Sequence, residues 1–319
     1  MDRAYFVNEF GGADKLIAAP LTVTPPKAHE VLLKQTAVGV NFLDIYHRQG
    51  RHDIACPFIP GVEGIGIVEE IGSQVRDIQV GDRIAYTAYQ GGYATRRTIP
   101  AWRAIKIPKQ FSDEIVSANL LRVYTAYMLL KHVHSVKPGD CILLHAVTGG
   151  LGMVMAPYAK SIGAKVIGIV GRHEKVELAK SIGVDTVLVG RGKNFKDEIM
   201  EATNSKGVDY IVDGICGSAF YNNFSYLKRF GLLANIGWIA GEIEQLEISM
   251  MQQGMFVRPS VMSFCSNPEL YRKAIPDIYD ILTNHIVKNK PNVFSFDRLR
   301  DAHIALESGV TTGGIAITV

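Results

Sequence analysis

The stretch His145–Gly152, HAVTGGLG, carries three glycines in its last four positions. It follows the apolar run CILLHAV (141–147) and precedes a segment with helical spacing, GMVMAPYAKSIG (152–163). A glycine-rich turn between a strand and a helix lets the backbone approach phosphate groups, which the N–H groups and positive dipole of the helix start can bind. The pattern is Ala146-x-x-Gly149-Gly150-x-Gly152 rather than the usual G-x-G-x-x-G. Taken alone, the turn is equally compatible with a simple chain reversal.

A strand–helix alternation surrounds this turn and predicts a parallel, doubly wound sheet of the α/β class. The other β-like runs lie at 165–171, 186–190, 210–215 and 231–238, and RPSVMSF (258–264) is interpreted as a further strand. Helical patterns fill most of the gaps between these runs, and another occupies 117–134.

Residues 1–115 have a different sequence pattern, in which short apolar or alternating runs are divided by Gly, Pro and Asp. The runs lie at 30–41, 63–72, 81–89 and 93–100. This pattern is typical of antiparallel strands joined by turns, and it predicts a barrel-like or sandwich domain. The C-terminal segment, with a helical pattern near 268–286 and a final strand GGIAITV (313–319), is expected to return to this domain.

Composition excludes several classes of protein. The chain has 319 residues, enough for two domains, with 20% charged and 47% hydrophobic residues, as in ordinary globular proteins. The net charge is only +3 and the basic residues are scattered, so a nucleic-acid partner is not expected. The N-terminal MDRAYFVNEF is charged where a signal peptide needs an apolar core, which predicts a cytoplasmic protein.

Two other features of the chain are typical of a cytoplasmic protein without a membrane span. Cys141–Ala159 has no charged residue, but its histidine, glycines and Pro157 favour a buried strand followed by a packed helix over a membrane span. The cysteines lie far apart and form no C-x-x-C pair, so they cannot build a local zinc site and fit a reducing compartment. They are Cys56, Cys141, Cys216 and Cys265.

The end of the second strand of the alternating region bears on cofactor choice. NAD-binding folds carry an acidic residue there for the ribose 2′-hydroxyl. This chain has Arg172 in that region and Lys175 close behind. The two cations favour a 2′-phosphate and therefore NADPH. The alternative is that both are solvated surface charges at a helix start, where cations are slightly unfavourable.

The segment IPGVEGIGIVEEIGSQVRDIQVGDRI (59–84) resembles the medium-chain dehydrogenase/reductase superfamily. Metal-dependent members carry His before the Glu of this segment and Cys near the end of an earlier strand; this chain has Val62 before Glu63, and Asn41 at the Cys position. No metal is therefore expected, and Glu63, an acid that still stands at a ligand position of the metal-dependent members, is assigned a structural role. Further motifs resemble the quinone oxidoreductase (zeta-crystallin-like) family over nearly the whole chain: NFLDIYHRQG (41–50), GVDYIVDGICG (207–217), RFGLLANIG (229–237) and AHIALESG (302–309).

The resemblance implies a GroES-like β-barrel catalytic domain at 1–120, a Rossmann NADPH-binding domain at 121–264, and a C-terminal return to the catalytic domain at 265–319. It also implies four places that bind the cofactor. Thr125 would contact the nicotinamide amide, and Ile236 and Gly237 would lie beside the nicotinamide. The pyrophosphate would be held by Thr148, Gly149, Gly150 and Leu151, and the 2′-phosphate by Gly171, Arg172 and Lys175.

The chain departs from the family pattern at four positions. Gly190 stands where relatives often have Tyr near the adenosine, and Gly309 where some have an Arg that reaches the 2′-phosphate. Conversely, Arg172 replaces a small residue and could supply the cation lost at Gly309. His52 stands where several relatives carry a pocket Tyr.

The resemblance implies an NADPH-dependent quinone oxidoreductase that needs no metal, with Asn41, Tyr46 and His52 as candidate catalytic residues. Asn41 would border the nicotinamide, Tyr46 could hydrogen-bond a substrate carbonyl, and His52 could donate a proton. The alternatives are that Tyr46 is a half-buried aromatic of the barrel and His52 an ordinary loop histidine. Rival functions are C=C reduction in enones, as in enoyl or alkenal reductases, and an NADPH-binding structural or RNA-binding protein.

The stretch Met255–Pro259 resembles an apolar edge strand that relatives pair across a two-fold axis, so a homodimer is expected. Pro259 could equally mark an edge that stays unpaired.

Overall fold

The computed structural model describes residues 1–251, 254–286 and 290–319. The chain forms two compact units. Unit 1 combines Met1–Tyr124 with Val261–Val319, and unit 2 is Thr125–Ser260. The C-terminal segment therefore belongs to the same unit as the N-terminal segment.

The described strands are β1 (Arg3–Phe6), β2 (Ile17–Pro20), β3 (Glu30–Val40), β4 (Glu63–Ile71), β5 (Arg83–Thr87), β6 (Arg96–Pro100), β7 (Ile105–Lys106), β8 (Cys141–Leu144), β9 (Lys165–Val170), β10 (Thr186–Val189), β11 (Val208–Asp213), β12 (Leu227–Asn235), β13 (Met255–Val257), β14 (Asn292–Ser295) and β15 (Ile315–Thr318).

The described α-helices are α1 (Phe42–Arg48), α2 (Asp113–Ser117), α3 (Leu120–Tyr127), α4 (Gly152–Ile162), α5 (Val176–Ser181), α6 (Lys196–Ala202), α7 (Asn223–Tyr226), α8 (Val261–Ser266), α9 (Pro268–Lys273), α10 (Ile275–Ile281) and α11 (Leu299–Glu307).

Unit 1 is built on a mainly antiparallel sheet in the order β14-β15-β3-β4-β5-β7, with β6 paired to β3 and a separate β1-β2 pair. The long strand β3 organises this sheet, because β4, β6 and β15 all pair with it antiparallel. The four predicted runs correspond to β3, β4, β5 and β6, so the antiparallel domain is confirmed. The sequence pattern did not reveal β1, β2, β7 or β14.

Unit 2 is built on a parallel sheet in the order β10-β9-β8-β11-β12-β13. Counted within the unit, this is the order 3-2-1-4-5-6 of the doubly wound dinucleotide-binding fold. The order reverses between β8 and β11, and ligands of such sheets bind outside the carboxyl ends of the strands at that point. The predicted α/β doubly wound architecture is confirmed, and the glycine turn lies at the reversal.

One predicted strand is wrong. The stretch 258–264 is not a strand: β13 ends at Val257, and helix α8 begins at Val261. Pro259 explains the difference, because proline has no N–H to donate to a neighbouring strand.

The helical pattern at 117–134 is divided. Helix α2 ends at Ser117, α3 follows at Leu120, and the segment Met128–Val133 forms a π-helix. Across the described residues, the longest apolar helices remain too short to cross a membrane. The uncharged stretch 141–159 forms the buried strand β8 and most of α4, as its sequence predicted.

Candidate functional site

The glycine turn brings α4 unusually close to the end of β8. A Cβ atom on Gly152 would lie 2.3 Å from the carbonyl oxygen of Val147, so only glycine fits at the first residue of the helix. The turn is closed by a 2.8 Å hydrogen bond in which the Gly149 N–H donates to the Ala146 carbonyl, and Ala146 has a φ of 50°. The Met153 and Val154 N–H groups donate to the Gly149 and Leu151 carbonyls at 3.0 Å each, so an anion here would meet the amides of the turn that precede them. The geometry therefore suits an anion at the start of α4.

Three cations gather at the carboxyl ends of β9 and β10. Arg172 and Lys175 follow β9, and Arg191 follows β10. The Arg191 Nε atom lies 2.8 Å from the position that a Cβ of Gly171 would take, so its side chain lies against the backbone where β9 ends. The sequence pattern indicated the first two cations but not Arg191. The usable signal was its place directly after the third strand, because adjacent parallel strands end at one edge of a sheet.

The electrostatics of this cluster favour an anionic ligand. Burial lowers the pKa of Lys175, and the positive charges of Arg172 and Arg191 lower it further. In the part of the chain that the structure describes, neither arginine forms a salt bridge with an acidic side chain. A phosphate group placed here would relieve this repulsion and accept charge-assisted hydrogen bonds.

A buried polar network, which the sequence pattern did not indicate, lies at the same edge beside β11 and β12. The Asp213 carboxylate is 1% exposed and accepts hydrogen bonds from the N–H groups of Ile215 (2.7 Å) and Cys216 (3.0 Å). Its other oxygen accepts from Asn223 Nδ2 at 2.9 Å. The acid ends a buried strand, YIVD, which was the available signal.

The network also fixes the loop after β12. The Ile236 N–H donates to the Asp213 carbonyl at 2.9 Å, and Asn235 Nδ2 donates to the Gly237 carbonyl at 2.8 Å. His145, directly after β8, pairs through Nε2 with Asn223 Oδ1 at 2.8 Å. Because Asn223 gives its amide hydrogen to Asp213, its oxygen is the acceptor, and His145 carries its proton on Nε2. The predicted residues Ile236 and Gly237 are thereby held at the strand ends.

In unit 1, Asn41 lies at the start of α1 and is 6% exposed. Its Nδ2 donates to Glu63 Oε1 at 2.6 Å, and its backbone N–H donates to Asp44 Oδ2 at 2.8 Å. Glu63 Oε2 accepts from the Leu121 N–H at 2.6 Å. The two residues at former metal-ligand positions are therefore bonded directly to each other.

Two carboxyl groups are fully buried beside Asn41. Burial raises the pKa of Glu63 to about 7, against the Arg122 charge and the hydrogen bonds from Asn41 and the Leu121 amide. Burial also raises the pKa of Asp44 to about 7, while the bonds from the Asn41 amide and Tyr93 oppose the shift and the Glu63 charge adds to it. Both groups titrate near neutral pH, as catalytic environments often require.

A series of hydrogen bonds connects Asp44 in α1 to Glu307 in α11. Tyr93 Oη donates to Asp44 Oδ2 at 3.0 Å and lies 3.0 Å from His303 Nε2. Arg48 Nη1 lies 3.2 Å from His303 Nδ1, and Arg48 Nη2 pairs with Glu307 at 2.7 Å. Because a guanidinium only donates, His303 accepts at Nδ1 and donates from Nε2 to Tyr93. This series of hydrogen bonds therefore fixes α1 against α11.

Tyr46 and His52, the other candidate catalytic residues, lie together at the far end of α1. Their ring centroids are 6.1 Å apart, and the Arg51 guanidinium lies 5.7 Å from the Tyr46 ring. His52 also meets the His47 ring edge-on at 5.2 Å. Burial and, to a smaller extent, the charge of His52 together lower the pKa of His47 to about 4, so His47 is neutral at physiological pH.

The predicted residues thus fall into three groups. The turn, the β9 end and the β12 loop share one edge of the unit 2 sheet. Asn41 lies in the buried acid cluster of unit 1, and Tyr46 and His52 form a ring cluster there. Thr125 lies in α3, half-buried. Over the described ranges, no group of three or more His, Cys, Asp or Glu side chains is placed to hold a metal ion.

Two family models of known proteins match separate segments of the chain. The alcohol dehydrogenase GroES-like domain model matches residues 27–109, and the zinc-binding dehydrogenase model matches residues 150–280. The chain is 31% identical to a 2-haloacrylate reductase of Burkholderia sp. over 99% of both chains, and 29% identical to quinone oxidoreductase 1 of Escherichia coli over 96% of both. The crystal structure of an Escherichia coli quinone oxidoreductase complexed with NADPH superposes with a TM-score of 0.94, at 28% identity over the whole of both chains.

The GroES-like unit, the doubly wound sheet and the glycine turn define an oxidoreductase of the medium-chain dehydrogenase/reductase superfamily. Within that superfamily, the chain belongs to the zinc-free quinone oxidoreductase family. The resemblance inferred from the sequence motifs is confirmed, and the NADPH-bound neighbour agrees with the predicted cofactor.

Proposed function

We propose that the protein is an NADPH-dependent reductase of quinones. The observation that carries this proposal is the cluster of Arg172, Lys175 and Arg191 beside the glycine turn, on the edge where doubly wound sheets bind dinucleotides. This arrangement supplies backbone amides for the diphosphate and three cations for the 2′-phosphate. Solved relatives that bind NADPH support the same cofactor.

NADPH, when bound, supplies the reducing equivalents. The protein therefore has to bind and orient NADPH and the substrate and to supply a proton to the product. The turn Thr148–Leu151 and Gly171 would hold the phosphates, while Thr125, Ile236 and Gly237 would bound the nicotinamide half. Tyr46 Oη would donate a hydrogen bond to a substrate carbonyl, which lowers the cost of negative charge on that oxygen. His52, half-buried next to Tyr46, would deliver a proton to the reduced product.

Reduction of the C=C bond in an α,β-unsaturated carbonyl compound is the second candidate. The 31% identity to a 2-haloacrylate reductase over 99% of both chains favours it. Both reactions require an electron-poor acceptor whose carbonyl oxygen is polarised, so the same donors serve either substrate.

Steady-state kinetics with NADPH would separate the two candidates. The purified chain should be assayed with 1,4-benzoquinone, with 2-chloroacrylate and with a simple enone. Turnover of the quinone with kcat/KM above that of both alkenes is the expected result; turnover of the alkenes alone would contradict the quinone proposal. Tyr46→Phe keeps the ring and removes the donor, so it should lower kcat for the preferred acceptor and leave NADPH affinity unchanged.

We also propose a cytoplasmic homodimer. Strand β13 is the outer strand of the unit 2 sheet, and its first residue, Met255, is exposed. An apolar outer strand with unpaired backbone groups favours pairing with a second copy.

A further inference from the structure

The turn that ends helix α1 fixes the position of Arg51. Helix α1 ends at Arg48, and Gly50 follows with a φ of 72°. The Arg51 N–H donates to the Tyr46 carbonyl at 2.9 Å, and the Gly50 N–H donates to the His47 carbonyl at 3.1 Å. These two bonds form a Schellman motif, which brings the side chain after the glycine beside a side chain of the last helical turn. The motif therefore places Arg51 next to Tyr46.

Packing and a further hydrogen bond hold this turn against the segment around Phe10. A Cβ atom on Gly50 would lie 2.7 Å from Cγ of the Phe10 ring, so the positive φ and the ring together require glycine. The Gly11 N–H donates to the Arg48 carbonyl at 3.0 Å. The turn that carries Arg51 is thus fixed from two sides.

The Arg51 side chain lies over the ring of Tyr46. Its guanidinium carbon is 5.7 Å from the ring centroid. Arg51 is exposed, whereas Tyr46 is 7% exposed. The negative face of an aromatic ring attracts a cation. The ring therefore orients the guanidinium without neutralising its charge.

The charge of Arg51 has no acidic partner in the described ranges. Arg51 forms no salt bridge there, although Asp53 is two positions further along the chain. The carbonyls of Ile45, Tyr46 and His47, at the end of α1, each accept a backbone N–H of the turn. The guanidinium is therefore not needed to cap the helix, and it is left to donate to an anion from outside the chain.

The proposed substrate contacts belong to the same cluster of rings. The Tyr46 and His52 ring centroids are 6.1 Å apart, and Arg51 covers the first of these rings. A quinone or enone without a charged substituent gains little from a fixed cation at this place. A carboxylate or sulfonate, by contrast, accepts two parallel N–H bonds from a guanidinium.

We propose that Arg51 is a specificity-determining residue, and that the preferred acceptor carries a carboxylate or sulfonate close to its conjugated carbonyl. Tyr46 would contact the carbonyl and Arg51 the anionic group. This inference rests on the proposed function, because it takes Tyr46 as a contact of the substrate.

The test compares acceptors that differ in the anionic group. The first pair is 1,4-naphthoquinone and its 2-sulfonate, and the second is methyl 4-oxopent-2-enoate and the free 4-oxopent-2-enoate. Each acceptor is assayed with NADPH on wild type, Arg51→Gln and Arg51→Lys. The quantity compared is the ratio of kcat/KM, anionic over neutral, in each variant relative to wild type. The intrinsic reactivity of each acceptor cancels in that comparison.

We expect Arg51→Gln to lower this ratio about fivefold in both pairs, through a higher KM for the anionic acceptor, because an exposed ion pair is lost. Arg51→Lys keeps the charge without the planar pair of donors, so it should lower the ratio by only about twofold. Added salt should reduce the wild-type ratio more than that of Arg51→Gln.

Arg76→Gln is the matched control. Arg76 is an exposed arginine of unit 1 in the turn after β4, at the opposite end of the β3–β4 pair from α1. Its substitution should leave the ratio unchanged. The KM for NADPH, which is itself anionic, should stay within about twofold of wild type in every variant, because Arg51 is assigned to the acceptor.

Three outcomes would overturn the inference. The first is an unchanged ratio in Arg51→Gln. The second is an equal loss for the anionic and the neutral acceptor, which would mean that Arg51 only packs on the Tyr46 ring. The third is a raised KM for NADPH with an unchanged ratio. A wild-type chain that reduces none of the four acceptors with NADPH would instead refute the proposed function, so the two failures are distinguishable.

Discussion

Replacing Arg191 or Lys175 by alanine should weaken NADPH binding and leave NADH binding nearly unchanged. Both side chains belong to the cation cluster that we assign to the 2′-phosphate, which NADH lacks. A charge-assisted hydrogen bond contributes about 1.5–3 kcal/mol when it is shielded, but an exposed ion pair contributes only about 0–1 kcal/mol. Arg191 is exposed and Lys175 is half-buried, so their contributions should differ.

The expected losses are therefore about 1 kcal/mol, or about fivefold, for Arg191→Ala and about 2 kcal/mol, or about thirtyfold, for Lys175→Ala. The double variant should lose more than the sum of the two single losses, because Arg191→Ala alone removes a charge that lowers the pKa of Lys175 and so strengthens the contact of the remaining lysine. Titration of both nucleotides by fluorescence, at two salt concentrations, measures these effects. Salt should reduce the contribution of Arg191 more than that of Lys175.

Lys180→Ala is the matched control, since Lys180 is an exposed cation of α5 that pairs with Glu177 at 2.9 Å. It should leave both affinities unchanged. Equal losses for NADPH and NADH in the two cluster variants would refute the assignment, as would a loss in the control of the same size.

The structure makes three further predictions. Gly152→Ala should destabilise unit 2 by about 3 kcal/mol, seen as a lower Tm, because its Cβ would meet a backbone oxygen at 2.3 Å that cannot move aside; an unchanged Tm would contradict the close approach of α4 to β8. His47 has a pKa lowered to about 4 from its ordinary 6.5, so the unfolded chain binds a proton that the fold rejects, and stability is lost as the pH falls through that interval. Between pH 7 and pH 5, the free energy of unfolding measured in urea should therefore fall by about 2 kcal/mol less in His47→Gln than in wild type. In the control His173→Gln, at an exposed position, it should fall by as much as in wild type. Met255→Lys should shift the mass measured by light scattering from dimer to monomer, and a wild-type monomer would contradict the proposed edge pairing.

The architecture was predictable from the sequence because its elements leave periodic signals. Apolar runs alternating with helical patterns indicated the parallel sheet, and HAVTGGLG indicated the turn at its centre. The short strands β7 and β14 gave no such signal, since two to four residues cannot show a period. The sequence pattern placed Pro259 within a strand. In the structure β13 ends at Val257, because proline has no N–H to continue the pairing.

The site was predictable where its parts follow one another along the chain. Arg172 and Lys175 were found by counting from the turn, but Arg191 joins them only because β10 lies beside β9 in the sheet. Likewise, Asn41 and Glu63 were each recognised as former ligand positions, yet their bond depends on how β3 and β4 pair. Contacts between distant segments depend on register and packing, which one sequence does not display.

The position of β15 has a consequence for the order in which the protein can fold during synthesis. This strand lies between β14 and β3 in the sheet of unit 1, and it pairs with residues synthesised 275 to 281 positions earlier, as in Ile315 with Val40 and Thr318 with Ala37. Unit 2, by contrast, is continuous along the chain. The nucleotide-binding half can therefore reach its native state while the ribosome is still translating. In the other half, β6 can pair with the first part of β3, but Ala37–Val40 lack a partner on that side until β15 emerges.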